Sequence, residues 1–151
     1  MRRAFVLALI LSLPALAAPN FTGAWKLNVA KSSYGSFPAP SSMTRTILHD
    51  GDALHLTTLQ KGQQGEVTTD LKYTTDGKQV INSTATGETK SVAHWSGAQL
   101  TIETSRVVQG AEIKTVEKWE LSPDGKLLTI QTHLKLPQQG EFDVKQVFEK
   151  Q

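Results

Sequence analysis

Beyond residue 20 the chain alternates apolar and polar positions in short runs, and a turn signal ends each run. Asp50-Gly51, Asp76-Gly77, Ser96-Gly97, Gln109-Gly110 and Ser122-Pro123-Asp124-Gly125 are strong hairpin signals, and Thr86-Gly87 is a weaker one. Glycine at such positions supplies the left-handed backbone that tight hairpin turns need. The runs between them are rich in Thr, Val, Ile, Leu and Trp, which suit a pleated, half-buried surface. A period of two with no sustained helical period predicts an all-β domain. The one long irregular stretch is 28–41, with Ser, Gly and Pro throughout.

The turns can be tested against one another. A short turn fixes which residues face each other, and a slip of one residue would send every side chain to the opposite face. A turn at Gln109-Gly110 pairs Thr104 with Thr115 and Ile102 with Glu117. A four-residue turn at 122–125 pairs Trp119 with Leu128 and Glu117 with Ile130. Turns at Ser96-Gly97 and Asp76-Gly77 pair Ala93 with Leu100 and Tyr73 with Val80. All four agree on one parity. Leu71, Tyr73, Ala93, Trp95, Leu100, Ile102, Trp119, Leu128 and Ile130 share a face, while Lys72, Glu103, Lys114, Lys118, Glu120 and Lys135 occupy the other. Consecutive hairpins with one constant inner face describe an antiparallel up-and-down meander. Eight to ten such strands leave vulnerable edges unless the sheet closes, so a β-barrel is expected.

The N-terminus reads differently. Met1-Arg2-Arg3 is basic, residues 4–13 are uncharged and apolar, and Pro14 precedes Ala15-Leu16-Ala17, a small-x-small peptidase pattern. Cleavage is expected after Ala17, because a later cut would put Pro19 immediately after the scissile bond. The apolar run is shorter than the ~20 residues a spanning helix needs. Residues 1–17 are therefore read as a signal peptide and 18–151 as one exported domain, periplasmic or secreted, without a stable membrane anchor. Loss of Arg2 and Arg3 removes the excess of 16 Lys+Arg over 14 Asp+Glu. A neutral mature chain argues against a nucleic-acid partner. The sequence has no cysteine, which excludes disulfides, thiolate metal sites and Cys nucleophiles.

Candidate chemistry lies on the inner face. Thr69, Thr84, Ser91, Thr104, Thr115 and Thr132 put hydroxyls where a dry core would carry larger aliphatic groups. Inward hydroxyls fit a water-containing cavity and a partly polar ligand. Arg45, Arg106 and Glu117 share the same parity, and an unpaired buried charge is costly. With the aromatic residues Tyr73, Trp95 and Trp119 they form the candidate ligand site, and Glu117 is expected to lie deepest of the three charges. Arg45 is expected to stack on an aromatic ring at the barrel base. Tyr34 and Phe37 in the long loop suit either a lid or a packing anchor. His55, His94 and His133 take the outward parity, and His49 falls at a turn. No histidine pair has metal-ligand spacing, and no nucleophile with a base partner is evident. No cofactor, metal or catalytic residue is assigned.

The segment Phe21-Thr22-Gly23-Ala24-Trp25-Lys26-Leu27 resembles the opening strand of the calycin barrels, the lipocalins and fatty-acid-binding proteins. Val147-Phe148-Glu149-Lys150 is similar to their closing strand, and Ile47-Leu48-His49-Asp50-Gly51-Asp52-Ala53-Leu54 to their second hairpin. The resemblance implies a lipocalin-like barrel with Gly23 and Trp25 at its base and a small hydrophobic or amphipathic ligand inside. Physically, Gly23 allows close strand approach and Trp25 plugs the base. Two departures are visible. Segment 28–41 is too short for a helix-turn-helix lid, and the positions matching the family's carboxylate-binding Arg-x-Tyr are Gln146 and Phe148. The lipocalin feature of an arginine packed across the tryptophan, near the end of the last strand, also lacks a clear counterpart. The rival expectation is a filled barrel that acts as an envelope or inhibitor-type interaction module.

Overall fold

The computed structural model describes residues 17–151, so the basic start and apolar run of the expected signal peptide lie outside it. Ten strands follow in order: β1 (Gly23–Leu27), β2 (Ser42–Asp50), β3 (Ala53–Gly62), β4 (Gly65–Thr74), β5 (Asp76–Thr84), β6 (Gly87–Ser96), β7 (Gln99–Val108), β8 (Ala111–Leu121), β9 (Leu127–Leu136) and β10 (Gly140–Lys150). The only helical element among the described residues is a 3-10 turn, Val29–Lys31, in the long connection. Asn28 caps it by accepting from the Lys31 amide. Among the described residues no helix is long and apolar enough to cross a membrane.

All ladders are antiparallel, and the hydrogen-bonded order is β4-β3-β2-β1-β10-β9-β8-β7-β6-β5. The expected parity holds: the buried apolar residues Tyr73, Ala93, Leu100, Ile102, Trp119, Leu128 and Ile130 share the inner face. The register is more varied. At Gln109-Gly110 it is as expected, with Thr104 opposite Thr115 and Ile102 opposite Glu117. Both turn residues have positive φ, 51° and 79°, as the mirror-image turn requires.

Three expected registers are corrected. At the β6–β7 turn the loop is Gly97-Ala98, closed by Ser96 opposite Gln99, so Ala93 pairs with Ile102 and not with Leu100, and Trp95 pairs with Leu100. At the next connection Trp119 pairs with Ile130 and Glu117 with Thr132, two residues from expectation. The turn there is longer because Ser122 and Leu127 close it with a backbone bond and a bond from the Leu127 amide to Ser122 Oγ. A shift of two preserves the face, so the core is unaffected.

Asp76-Gly77 is the third correction. It is not a hairpin turn, and Tyr73 does not pair with Val80. Asp76 leads directly into a ladder with β6, opposite His94. No backbone ladder joins β4 to β5. The Asn82 side chain spans the seam, accepting from Lys72 N–H at 2.8 Å and donating to Lys72 C=O at 2.9 Å. One carboxamide thus takes the place of a backbone unit.

The base of the barrel is solid. Phe21, Trp25, Ile47, Leu54, Leu100, Ile102, Trp119, Leu128, Ile130 and Phe148 are all at or below 1% exposure. Trp25 donates its indole N–H to the Phe21 carbonyl at 2.9 Å, which satisfies the ring's only polar atom. Gly23 has φ 150°, and a Cβ there would sit 3.0 Å from Lys150 Cε. The neighbour there is the far end of a flexible side chain and not a strand backbone. Lys150 Nζ lies 5.5 Å from the Trp25 ring centre, a lysine where the lipocalin pattern has an arginine.

Candidate functional site

A cavity of about 330 Å³ opens on the inner side of β4–β8. Its wall includes Val67, Thr69, Leu71 and Tyr73 from β4, and Thr84, Ala85 and Thr86 at the β5–β6 turn. Thr89, Thr104, Arg106, Ile113, Thr115 and Glu117 complete it. Every strand residue in this set has inward parity. A groove of about 600 Å³ between β8, β9 and β10 is larger, but outward-facing Lys118, Gln131, His133, Asp143 and Lys145 line it. Facing, rather than volume, separates a barrel interior from a furrow between surface side chains.

Of the six inner hydroxyls expected from the sequence, Thr69, Thr84, Thr104 and Thr115 line the cavity. Ser91 is buried beside it and shares a 2.9 Å hydrogen bond with Thr104. Thr132 falls outside this wall. Thr86 and Thr89 were not legible as lining residues, since Thr86 belongs to a turn. The signal for Thr89 was its parity with Ser91.

The three charges separate. Arg106 sits at the rim and donates to Thr86 Oγ1 at 3.2 Å. Glu117 lines the wall and accepts the Trp119 indole N–H on Oε2 at 2.8 Å. The deepest charge is Arg45, not Glu117. Its guanidinium carbon lies 4.8 Å from the Phe148 ring centre and 6.0 Å from that of Trp119, so the expected aromatic stack forms with these rings and not with Trp25. Arg45 retains some accessible side-chain surface. Its Nε and Nη1, however, are enclosed without any hydrogen-bond partner.

Burial pulls the Arg45 affinity for its proton down, and Glu117, then Tyr73 and Tyr34, oppose that pull. A guanidinium nevertheless stays charged in proteins. Burial pushes the Tyr73 phenol well above its ordinary range, and Glu117 adds to the shift. Tyr34 is raised chiefly by burial and accepts from Gln146 Nε2 at 3.0 Å. Tyr34 and Phe37 anchor the long loop: the first bonds Gln146, and the second meets Phe142 edge-on at 5.1 Å.

Tyr73, Glu117 and Arg106 therefore meet at one cavity, with Arg45 in the same electrostatic cluster. Trp95 and Trp119 do not line it. Both belong to the base, where Phe21 stacks on Trp95 at 5.7 Å and meets Trp119 edge-on at 5.6 Å. His49, read as a turn residue, is buried in the same stack at 5.7 Å from Phe21. Its Nδ1 accepts the Phe21 amide at 3.3 Å. Among the described residues no group of three or more His, Cys, Asp or Glu side chains is arranged to hold a metal.

A ten-stranded antiparallel barrel with one interrupted seam and an internal cavity defines the calycin architecture, of the fatty-acid-binding-protein kind. Solved structures share it along most of their length. The wild-type fluorescent protein UnaG matches with a TM-score of 0.61 at 17% identity, covering 87% of this chain and 97% of that one. A secretory abundant heat soluble protein from Ramazzottius varieornatus matches at 0.62 and 13%, covering 86% and 94%. Zebrafish ileal bile acid-binding protein complexed with cholic acid matches at 0.56 and 20%, covering 87% and 98%. At these identities the likeness is one of fold. No protein-family model and no curated protein matches the sequence.

Proposed function

We propose that the mature chain is an exported barrel that binds a small hydrophobic or amphipathic molecule in the β4–β8 cavity. The observation that carries this reading is the cavity wall. It combines Val67, Leu71 and Ile113 with inward hydroxyls and one carboxylate, which is the mixed lining of a small-molecule site. A dry structural core has no use for such groups, because each buried polar atom must find a partner. The solved bile acid-binding protein of the same fold holds cholic acid, an amphipathic small molecule, which supports the reading. The role we propose is binding of such a molecule.

Native mass spectrometry of protein purified from its own exported fraction tests the proposal. A bound small molecule is expected, released on denaturation and lost in Glu117→Ala. A bare polypeptide mass, together with no uptake of fluorescent lipid probes, would sink it. The same sample tests export: the N-terminal residue is expected to be Ala18.

A further inference from the structure

The two charged groups of the cavity wall stand at its opposite ends. Along β7 and β8 the inward pairs rise from the base as Leu100–Trp119, Ile102–Glu117, Thr104–Thr115 and Arg106–Ile113. Glu117 therefore sits one step above the filled base, beside Ile102 and Trp119, which are almost wholly enclosed. Tyr73 joins it at this floor, because it pairs with the enclosed Leu54. Arg106 lies four residues further along β7 than Ile102, next to the β7–β8 turn. At ~3.4 Å per residue the two levels are roughly 14 Å apart along the strand. Neither charge enters an ion pair among the described residues. Their hydrogen bonds differ in the same sense. Arg106 meets Thr86 Oγ1 in an exposed contact, while Glu117 meets the Trp119 indole in a partly buried one that engages Oε2 only. Arg45, stacked on Phe148 and Trp119, is not part of this wall.

Resting on the binding function proposed above, we infer that the ligand is bifunctional and enters in one sense: a hydrogen-bond donor such as a hydroxyl leads to Glu117, and an anionic group trails at Arg106. The floor selects the leading end. An ionised carboxyl group accepts hydrogen bonds and donates none. A carboxylate that led the way would set acceptor against acceptor, and like charge against like, in a partly enclosed space. A hydroxyl instead gives Glu117 Oε1 a charge-assisted bond, which is the stronger kind. Tyr73 can donate or accept, so it serves either group and does not choose the sense. The rim selects the trailing end. Arg106 is donor-only and gives one N–H to Thr86, so its remaining N–H groups suit a carboxylate or a comparable anion. Water screens that contact, so it contributes less than the contact at the floor. Between the two levels, Leu71 and Ile113 offer apolar surface to the aliphatic part of the molecule. The recognition is non-covalent throughout.

Calorimetric titration of the mature protein with ω-hydroxydodecanoate, dodecanoate and dodecanol is the test, since their extended chains match the separation of the two levels. The wild type is expected to bind the hydroxy acid roughly tenfold or more tightly than dodecanoate, and by a smaller factor more tightly than dodecanol. Glu117→Gln is expected to narrow the preference over dodecanoate, and Arg106→Gln the preference over dodecanol. Dodecanoate bound as tightly as the hydroxy acid by the wild type overturns the inference and leaves the binding function standing. A preference over dodecanoate that Glu117→Gln leaves intact does the same. So does uptake of none of the three while native mass spectra retain another molecule. No uptake and no retained molecule overturn both. Circular dichroism establishes that each variant is folded before its titration is read. Should Glu117→Gln not fold, Arg106→Gln decides, and a preference over dodecanol that survives it overturns the inference.

Discussion

The two ends of this barrel are built from the same alternating strands, yet they are packed to opposite purposes. At the base, inward positions carry Phe21, Trp25, Trp119, Leu128 and Phe148, and nothing is left open. Along β4–β8 toward the opposite end, the inward positions carry threonines, and a cavity remains. Both regions share the same inward-outward alternation of residues. What differs is side-chain volume and polarity at every second residue. A filled half fixes the geometry against which an unfilled half can afford to be imperfect.

Substitutions sharpen this contrast. Trp119→Ala removes a fully enclosed ring from the base and is expected to cost about 3–5 kcal/mol in denaturant unfolding. A loss below about 1 kcal/mol would mean that the base is as loosely filled as the cavity half. Asn82→Ala removes both bonds across the β4–β5 seam, with an expected cost of about 1–3 kcal/mol. Hydrogen exchange should localise it, with the Lys72 amide losing protection before its neighbours in the β3–β4 ladder. Arg45→Met is expected to change stability by no more than about 1 kcal/mol, because it removes enclosed, unpartnered donors along with a cation. It should still weaken ligand uptake. A variant that loses stability and keeps binding would show that Arg45 belongs to the base and not to the site.

A smaller effect concerns His49. Burial lowers its pKa, against the opposing pull of the Gly51 backbone and Asp52. In the window just below the unfolded value near 6.5, the unfolded chain binds more protons than the native one. Stability is therefore expected to fall as pH drops below about 6.5. Thermal midpoints of the wild type should show that fall, and those of His49→Gln should show less of it. The smallest effect is expected on the outer face. Glu103→Gln, on an exposed strand position, should leave both midpoint and ligand uptake unchanged.

Much of the architecture was legible because parity survives errors in register. The turn at Ser96-Gly97 was displaced by one residue and the loop after Leu121 was lengthened, yet each shift moved the pairing by two and left Trp95 and Trp119 facing inward. Asp76-Gly77 misled because its local chemistry is that of a turn, while the absence of a ladder is decided by strands on either side. Glu117 was placed deepest because it lies mid-strand between isoleucines. Depth in a barrel also depends on tilt and on which neighbours are large, and Phe148 and Trp119 close over Arg45 instead. His49 was read from the sequence as a turn residue. Its burial depends on Phe21 and Trp95, which lie far from it in sequence and are brought together only by the closed sheet.

The missing ladder between β4 and β5 has a topological consequence. Read from β5 to β10 and on through β1 to β4, every strand is the hydrogen-bonded neighbour of the next. The two outermost strands of the described chain are ladder partners, with Trp25 opposite Lys150 and the Gln151 amide bonded to the Ala24 carbonyl at 2.9 Å. A linker joining those ends, with a new start at Asp76, would give a circular permutant without any sequence-distant strand pairing. Such a chain would sever no backbone ladder and would replace the one long-range closure with a local one. Loop-closure entropy makes distant pairings slow, so the permutant should fold faster than the parent while keeping the same cavity.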